Sequence, residues 1–330
     1  MLRSTTAWLP CLLFVGVLLC KTKALAPLCP LPPYPEDDIH LSCSTESGSF
    51  STIPHYNTPS ELYIVEYNID RNGYGGDGDN ESGLDAIIKL LSNPLLIHSA
   101  DILILSEVAR GCEGYGGINL SGAEEIAKSL NLNFVYAVEY VVISESNATA
   151  ECSIGNALLS KYPIANVQQL RFQSQCCRYP DRYGGRIDLI GDITLSSKPG
   201  SSSVPDILCH VHSAHLESGQ ANAKMVIESI IVRGIQAAEM TNVTWTDNLP
   251  IIIAGDLNSP GPNYDPTILR LKKDGFTNSM ENYTIPARPL IQYDYIFSSP
   301  SILSEAGYCR KPECQGISDH VPFWAKYVFP

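Results

Sequence analysis

The side chains with the most chemistry to offer stand where short apolar runs end. The run Leu62–Ile69 contains Tyr67-Asn68, and Ile102–Leu105 is followed by Ser106-Glu107. Ile207–His215 closes on Ser213-Ala214-His215, while Ile251–Ala254 passes through Gly255 into Asp256-Leu257-Asn258. Near the C-terminus comes Ser318-Asp319-His320-Val321-Pro322, and Asp294 lies inside the run Tyr293–Phe297. Side chains at strand ends can project into a shared cleft. There Glu107, Asp256 and Asp319 offer carboxylates, Asn68 and Asn258 neutral oxygens, and His215 and His320 imidazoles that exchange protons near neutral pH. Hard oxygen donors suit Mg²⁺, with Mn²⁺ acceptable, rather than zinc. Each residue also has an ordinary use: Asn68 could cap a turn, Glu107 could be a surface acid, and Asp256 with Asn258 could form an Asx turn. Their combination argues for a metal and proton-transfer site.

The elements that must carry them follow from periodicity. Further strand-length apolar runs are Phe134–Ile143, Asn156–Leu159, Ile187–Leu195 and Phe323–Phe329. Helical spacing occurs over Leu84–Leu91, Ala123–Leu130, Ala221–Met240 and Thr267–Lys272; the third is clearest, with Met225, Ile227, Ile230, Ile231 and Ile235 recurring near 3.6 residues. Strands with interspersed helices and no internal repeat favour two packed sheets flanked by helices over a single Rossmann sheet.

The composition, 330 residues with 44% hydrophobic and 17% charged, suits one large globular domain. Residues 1–26 read as a signal peptide: Arg3, an apolar stretch from Trp8 to Cys20, then Ala24-Leu25-Ala26. That stretch is shorter than the roughly 20 residues a membrane span needs, so no stable membrane insertion is expected. Residues 27–60 form a Pro- and Ser-rich irregular lead-in, and 61–330 the domain. Sequons at Asn80, Asn119, Asn147, Asn242 and Asn282 agree with a secreted or extracellular glycoprotein. The cysteines lack zinc spacing and are expected to form disulfides, with Cys309 and Cys314 clipping one loop. The net charge of −13 becomes more negative when a leader bearing Arg3, Lys21 and Lys23 is removed, and such a surface repels polyanions at long range. A monomer is expected.

In order along the chain, Tyr67-Asn68, Glu107, Gly155–Ile164, Ser213-Ala214-His215-Leu216, Gly255-Asp256-Leu257-Asn258, Asp294-Tyr295-Ile296 and Ser318–Pro322 resemble the motifs of the endonuclease/exonuclease/phosphatase superfamily. The resemblance spans Glu61 to Phe329. It implies a four-layer α-β-β-α sandwich, with Glu107 as the firmest Mg²⁺ ligand and Asn68 and Asp319 beside it. It further implies that Asp256 and Asn258 stand close to the scissile phosphate and that His320 takes a proton from the attacking water. Asp294 would orient His320, and His215 would serve the phosphate or leaving group. Arg186, in Gly184-Gly185-Arg186-Ile187, matches a phosphate-contacting arginine. Ser106 and Ser213-Ala214 depart from the family's usual Gln and Asn-Thr.

The leading expectation is a metal-dependent phosphodiesterase of deoxyribonuclease-like type acting on nucleic acid. Arg171, Arg178, Arg182 and Arg186 would supply a local positive field. A sphingomyelinase-like or other lipid or inositol headgroup phosphoesterase is the enzymatic alternative, and a catalytically inactive binding module the alternative of another class. His210 and His212, on the opposite strand face from His215, are expected to be packed or solvated. Asp70–Asp79 has only a faint calcium-loop look.

Overall fold

A computed structural model of the chain describes residues 45–74, 83–142, 151–175, 182–196, 206–219, 223–243, 245, 247–261, 264–279, 281, 292–299, 303–309 and 312–328. Residues 1–26, expected to form a leader, together with Arg178, Asp77, Asp79, the sequons at Asn80, Asn147 and Asn282, and Cys29, Cys43, Cys176 and Cys177, lie outside the described residues.

One sheet contains β1 (Thr45–Ser49), β2 (Glu61–Asn68), β3 (Ile102–Arg110), β4 (Asn133–Val142), β5 (Ser153–Ser160), β7 (Arg182–Gly184), β13 (Leu303–Tyr308) and β14 (Phe323–Val328), in the order β1-β4-β5-β3-β2-β14-β13 with β7 also on β4. The other contains β6 (Ile164–Arg171), β8 (Ile187–Thr194), β9 (Ile207–Ala214), β10 (Ile251–Asp256), β11 (Thr277–Asn278) and β12 (Asp294–Ser299), in the order β11-β12-β10-β9-β8-β6. The single turn α1 (Asp70–Gly73) follows β2, while helices α2 (Leu84–Leu91) and α3 (Gly122–Leu130) cover the first sheet. Helices α4 (Ala223–Thr241) and α5 (Pro266–Lys273) cover the second. The result is a four-layer sandwich.

Strand periodicity explains the layers. Successive side chains point to opposite faces. Thus Leu62 and Ile64 of β2 enter the core between the sheets with Ile252, Ala254, Ile296 and Phe323, whereas Val65 and Tyr67 pack outward against α2 and α3 with Ile87 and Ile126. Ile253, Tyr295 and Phe297 do the same for the second sheet, meeting Met240 and Leu271.

Some elements differ from the sequence expectation. Residues 45–49, within the expected lead-in, pair antiparallel with β4 as an edge strand, although Thr-Glu-Ser-Gly-Ser has no apolar alternation. The partner supplies the order there. Strands β6 and β13 lie near or at sheet edges, where polar residues such as Asn166 and Gln168 or Ser304 and Glu305 erase the alternating pattern. Helix α4 is oriented against its own apolar repeat: Ile227, Ile231 and Ile235 are exposed, while Ser229, Arg233 and Gln236 are buried. Those polar groups reach loops: Arg233 donates to the Glu217 carbonyl (3.1 Å) and to Asp265 (2.9 Å), and Gln236 accepts from the Glu217 amide (3.1 Å). Disulfides join Cys112 to Cys152 and Cys309 to Cys314, and Cys209 is a buried thiol. Among the described residues no helix is long and apolar enough to cross a membrane.

Candidate active site

The candidate residues gather at one end of the space between the sheets because each continues the inward phase of its strand. On β2 the phase that buries Leu62 and Ile64 continues to Glu66 and Asn68. On β10 it runs from Ile252 and Ala254 to Asp256, and on β12 from Ile296 back to Asp294. From Cys209 and Val211 of β9 it reaches His215, and from Val135 and Ala137 of β4 it reaches Glu139, where the β4–β5 register shifts between Val138 and Tyr140. Glu107 breaks this rule. The β3–β5 register shifts between Leu105 and Val108, and Glu107 has φ of 55°, so the acid is turned by a bulge. A non-glycine residue held there costs about 1–3 kcal/mol, which surrounding contacts must offset. Gly255 is required next to Asp256, since its φ is 142° and a Cβ would lie 1.9 Å from the Ala214 carbonyl oxygen.

Two imidazoles face one carboxylate oxygen. His320 Nε2 lies 3.7 Å from Asp256 Oδ2, and His215 Nε2 lies 3.7 Å from the same atom. Each ring is held from behind at Nδ1, His320 by Asp294 Oδ2 at 2.6 Å and His215 by Glu139 Oε2 at 2.8 Å. Asn68 Nδ2 donates to Asp256 Oδ2 at 3.0 Å, and the Asn258 amide donates to Asp256 Oδ1 at 2.8 Å. Asn258 also spends its side-chain Nδ2 on the Leu216 carbonyl, so the Asx turn weighed from sequence is part of the arrangement. Asp319 Oδ1 is 3.7 Å from His320 Nε2, and Glu107 Oε1 is 4.0 Å from His215 Nε2. Ser318 fixes the His320 loop: its hydroxyl donates to the Asn68 carbonyl (2.8 Å) and accepts from the His320 amide (3.1 Å).

The electrostatics differ on the two sides. Burial pushes the His320 imidazole down, but Asp294, Asp256 and Asp319 outweigh it and hold the group well above its ordinary pKa. Burial raises the Asp294 carboxyl, and Glu66 beneath it is raised well above the ordinary carboxylate range by burial and then by Asp294 and Asp256. Both Glu66 oxygens are buried and make no hydrogen bond to a described residue. For Glu139 burial acts upward, yet Arg186 and His215 win and pull it down to about 2.

Arg186 stands beside His215 with its guanidinium on protein partners. It is 5% exposed; its Nη1 lies 2.6 Å from Glu139 Oε1 and stands against the His215 ring, 2.6 Å from Nε2, while Nη2 donates to Ser218 Oγ at 3.2 Å. Arg171 is buried too, donating to the carbonyls of Glu139 (2.9 Å), Gly185 (2.9 Å) and Val138 (3.0 Å). Of the expected arginine field, Arg171 and Arg186 are thus on protein partners and Arg182 stands over the Tyr140 ring at 4.5 Å, while Arg178 lies outside the described residues. His210 and His212 are buried on the other face of β9, bonded to Asp192 and Asp188 and near Trp245, as packing residues.

The mouth beside Glu107 is shaped by three successive residues with positive φ, Asp70 (40°), Arg71 (55°) and Asn72 (62°). Asp70 is pushed up to about 6 by burial, then by Glu107 and Asp319. Its amide donates to Asn68 Oδ1 at 3.0 Å.

Glu107, Asp256 and Asp319 offer carboxylates and Asn68 an amide oxygen, donors of the kind a hard divalent cation takes, although neither Glu107 nor Asp319 belongs to the described group of ligand atoms that lie closest together. Ligand atoms of Asp256, Asp294 and His320 also lie within 4.8 Å of one another.

No protein-family model matches this sequence, and no curated protein matches it. Solved structures do match its fold. An endonuclease/exonuclease/phosphatase from Beutenbergia cavernae superposes with a TM-score of 0.59 at 18% identity, covering 82% of this chain and 72% of that one. The human Nocturnin catalytic domain with bound sulfate gives 0.55 at 14% identity, covering 87% and 97%. Danio rerio TDP2 complexed with a single-strand DNA product gives 0.51 at 15%, covering 82% and 100%.

Proposed function

We propose, from its endonuclease/exonuclease/phosphatase fold, that the chain is a secreted, Mg²⁺-dependent phosphodiesterase acting on nucleic acid. The observation that carries this reading is the pair of imidazoles whose Nε2 atoms each lie 3.7 Å from Asp256 Oδ2. A diester hydrolysis needs a proton removed from water and another delivered to the leaving oxygen, and two oriented imidazoles on either side of one carboxylate can divide those tasks. His320 takes the water proton at Nε2 while Asp294 keeps Nδ1 protonated. His215, its ring fixed at Nδ1 by Glu139 and with Arg186 Nη1 2.6 Å from its Nε2, serves the leaving oxygen. Asn68 and Asn258 hold Asp256 in place. Glu107, with Asn68 and Asp319, would hold the metal, which draws negative charge off the phosphoryl oxygens. Arg186 acts through Glu139 and His215 rather than on the phosphate.

Nucleic acid is favoured because TDP2, at comparable coverage, is a complex with single-strand DNA product. Secretion is supported by the N-terminal leader and the sequons, and agrees with the disulfides. One observation favours a lipid headgroup instead: Val226, Ile227, Ile231 and Ile235 expose an aliphatic face on α4. Metal-stripped protein assayed on plasmid DNA, RNA, sphingomyelin and a soluble phosphate monoester separates these readings. Mg²⁺ or Mn²⁺ is expected to restore DNA cleavage that EDTA abolishes. Full activity in EDTA would remove the metal from the reaction, and cleavage of sphingomyelin alone would select the lipid reading.

A further inference from the structure

The turn after β2 places an arginine at the cleft by a route that costs backbone strain. Asp70, Arg71 and Asn72 all adopt positive φ, a conformation that non-glycine residues keep only where the surroundings enforce it. Asn72 supplies the enforcement. Fully buried, it donates through Nδ2 to the carbonyls of Ala109 (3.1 Å) and Tyr115 (3.3 Å) and accepts from the Ala109 amide at Oδ1 (3.0 Å). Space for it depends on Gly122, where a Cβ would lie 2.2 Å from Asn72 Oδ1. One buried amide thus fixes both the turn carrying Arg71 and the backbone of Tyr115.

The consequence is a cation of unusual availability. Arg71 Nε lies 3.9 Å from Glu107 Oε2, its guanidinium stands 5.8 Å from the Tyr115 ring centroid, and its side chain is 35% exposed. Arg171 and Arg186 are buried and committed to protein acceptors, whereas among the described residues Arg71 has no ionic neighbour closer than Glu107. A guanidinium at the edge of an acidic site can donate to two phosphate oxygens where nearby carboxylates would otherwise repel them. The tyrosine ring beneath the guanidinium backs it from the side of the buried cluster around Cys112 and Tyr140.

We infer that Arg71, with Tyr115 beside it, forms a second subsite that holds the phosphate adjacent to the scissile one in a single nucleic-acid strand. This rests on the phosphodiesterase reading above and goes beyond it, since a substrate with one phosphate has nothing to place there. The strained turn, held by Asn72, fixes the backbone from which Arg71 projects.

The test compares a short single-stranded DNA oligonucleotide with bis(4-nitrophenyl) phosphate, using wild type, Arg71→Gln and Arg71→Lys, each with its melting midpoint recorded. Arg71→Gln is expected to raise KM for the oligonucleotide roughly tenfold, as for one lost charge-assisted contact. It should also flatten the slope of log KM against log salt by about 0.7, while leaving kcat and the KM of the small diester within about twofold. Arg71→Lys should restore the salt slope and part of the KM, because it keeps the charge without the fork. Equal effects on both substrates, or none on either, overturn the subsite while the phosphodiesterase reading survives. Wild type that cleaves the small diester but not the oligonucleotide overturns it too. Failure to cleave either substrate with Mg²⁺ removes the phosphodiesterase reading itself, and the subsite with it.

Discussion

The two histidine pairs share a geometry and differ in charge. His320 sits among Asp294, Asp256 and Asp319, with Glu66 below, and among the described residues no guanidinium contacts its partner Asp294. His215 rests on a carboxylate that Arg186 already neutralises. Carboxylates in excess stabilise the imidazolium, so the first pair is built to hold a proton. The second is balanced, so the orientation of its ring depends on a buried ion pair more than on a surplus of charge. Identical backing at Nδ1 therefore does not mean identical roles.

The largest expected effect breaks the pair that receives the proton. His320→Ala should lower kcat by roughly 10⁴-fold on every diester, because no leaving group can substitute for activating the water. His215→Ala should cost roughly 10²- to 10³-fold on DNA, where an alkoxide must be protonated, and much less on bis(4-nitrophenyl) phosphate, whose phenolate departs without a proton. Steady-state kinetics on the two substrates checks this. Equal losses in both variants on both substrates would erase the division of labour.

Next comes the ion pair behind His215. Arg186→Met leaves Glu139 buried without its guanidinium and should destabilise the protein by about 3 kcal/mol in urea titration, the usual result of unpairing a buried charge. It should also lower kcat by misorienting His215. Arg171→Met, whose donors serve carbonyls, is expected to destabilise without the same loss of kcat. The pH dependence carries a sign. Glu139 is held down to about 2, so its contribution is complete above the unfolded carboxylate range near ~4.3 and is lost as pH falls through about 2. Removing Arg186 should therefore move acid unfolding toward higher pH.

Much of this site was legible because its residues end apolar runs in inward phase: Asp256 follows Ala254 by two, Asn68 and His215 follow Ile64 and Val211 by four, and Asp294 precedes Ile296 by two. Glu139 and Glu66 obey the same parity, and reading the phase through Val135-Ala137 and Leu62-Ile64 rather than only the run ends would have found them. Glu107 could be placed only by resemblance, since a bulge rather than alternation turns it. The fate of Arg186 was hidden because its partner Glu139 lies 47 residues away on another strand. Helix α4 misleads in the opposite sense. Its isoleucine repeat reads as a core face, but Arg233 and Gln236 find buried partners in the 215–219 loop, and that polar grip orients the helix.

The smallest expected effect sharpens the comparison from beneath His320. Glu66 lies next to acids and has no described hydrogen-bond partner for either oxygen, so an ionised carboxylate there would add charge to a buried pocket that already holds Asp294 and Asp256. Its raised pKa means that the folded protein keeps a proton the unfolded chain gives up. The contribution of Glu66 is fully present below its unfolded pKa near ~4.3, and is lost as the pH rises toward the folded value. Glutamine has nearly the same shape as the protonated acid and cannot ionise. Glu66→Gln should leave kcat within about threefold of wild type, match wild-type stability near pH 4, and exceed it increasingly toward pH 8. Asp294→Asn, one layer closer to the imidazole, should instead cost two or more orders of magnitude in kcat, since an amide can no longer hold the required tautomer and stabilise the imidazolium. Denaturant titrations across that pH range, alongside kcat, check the layer. A Glu66→Gln variant as inactive as Asp294→Asn would mean that Glu66 exchanges protons with the pair rather than filling neutral space below it.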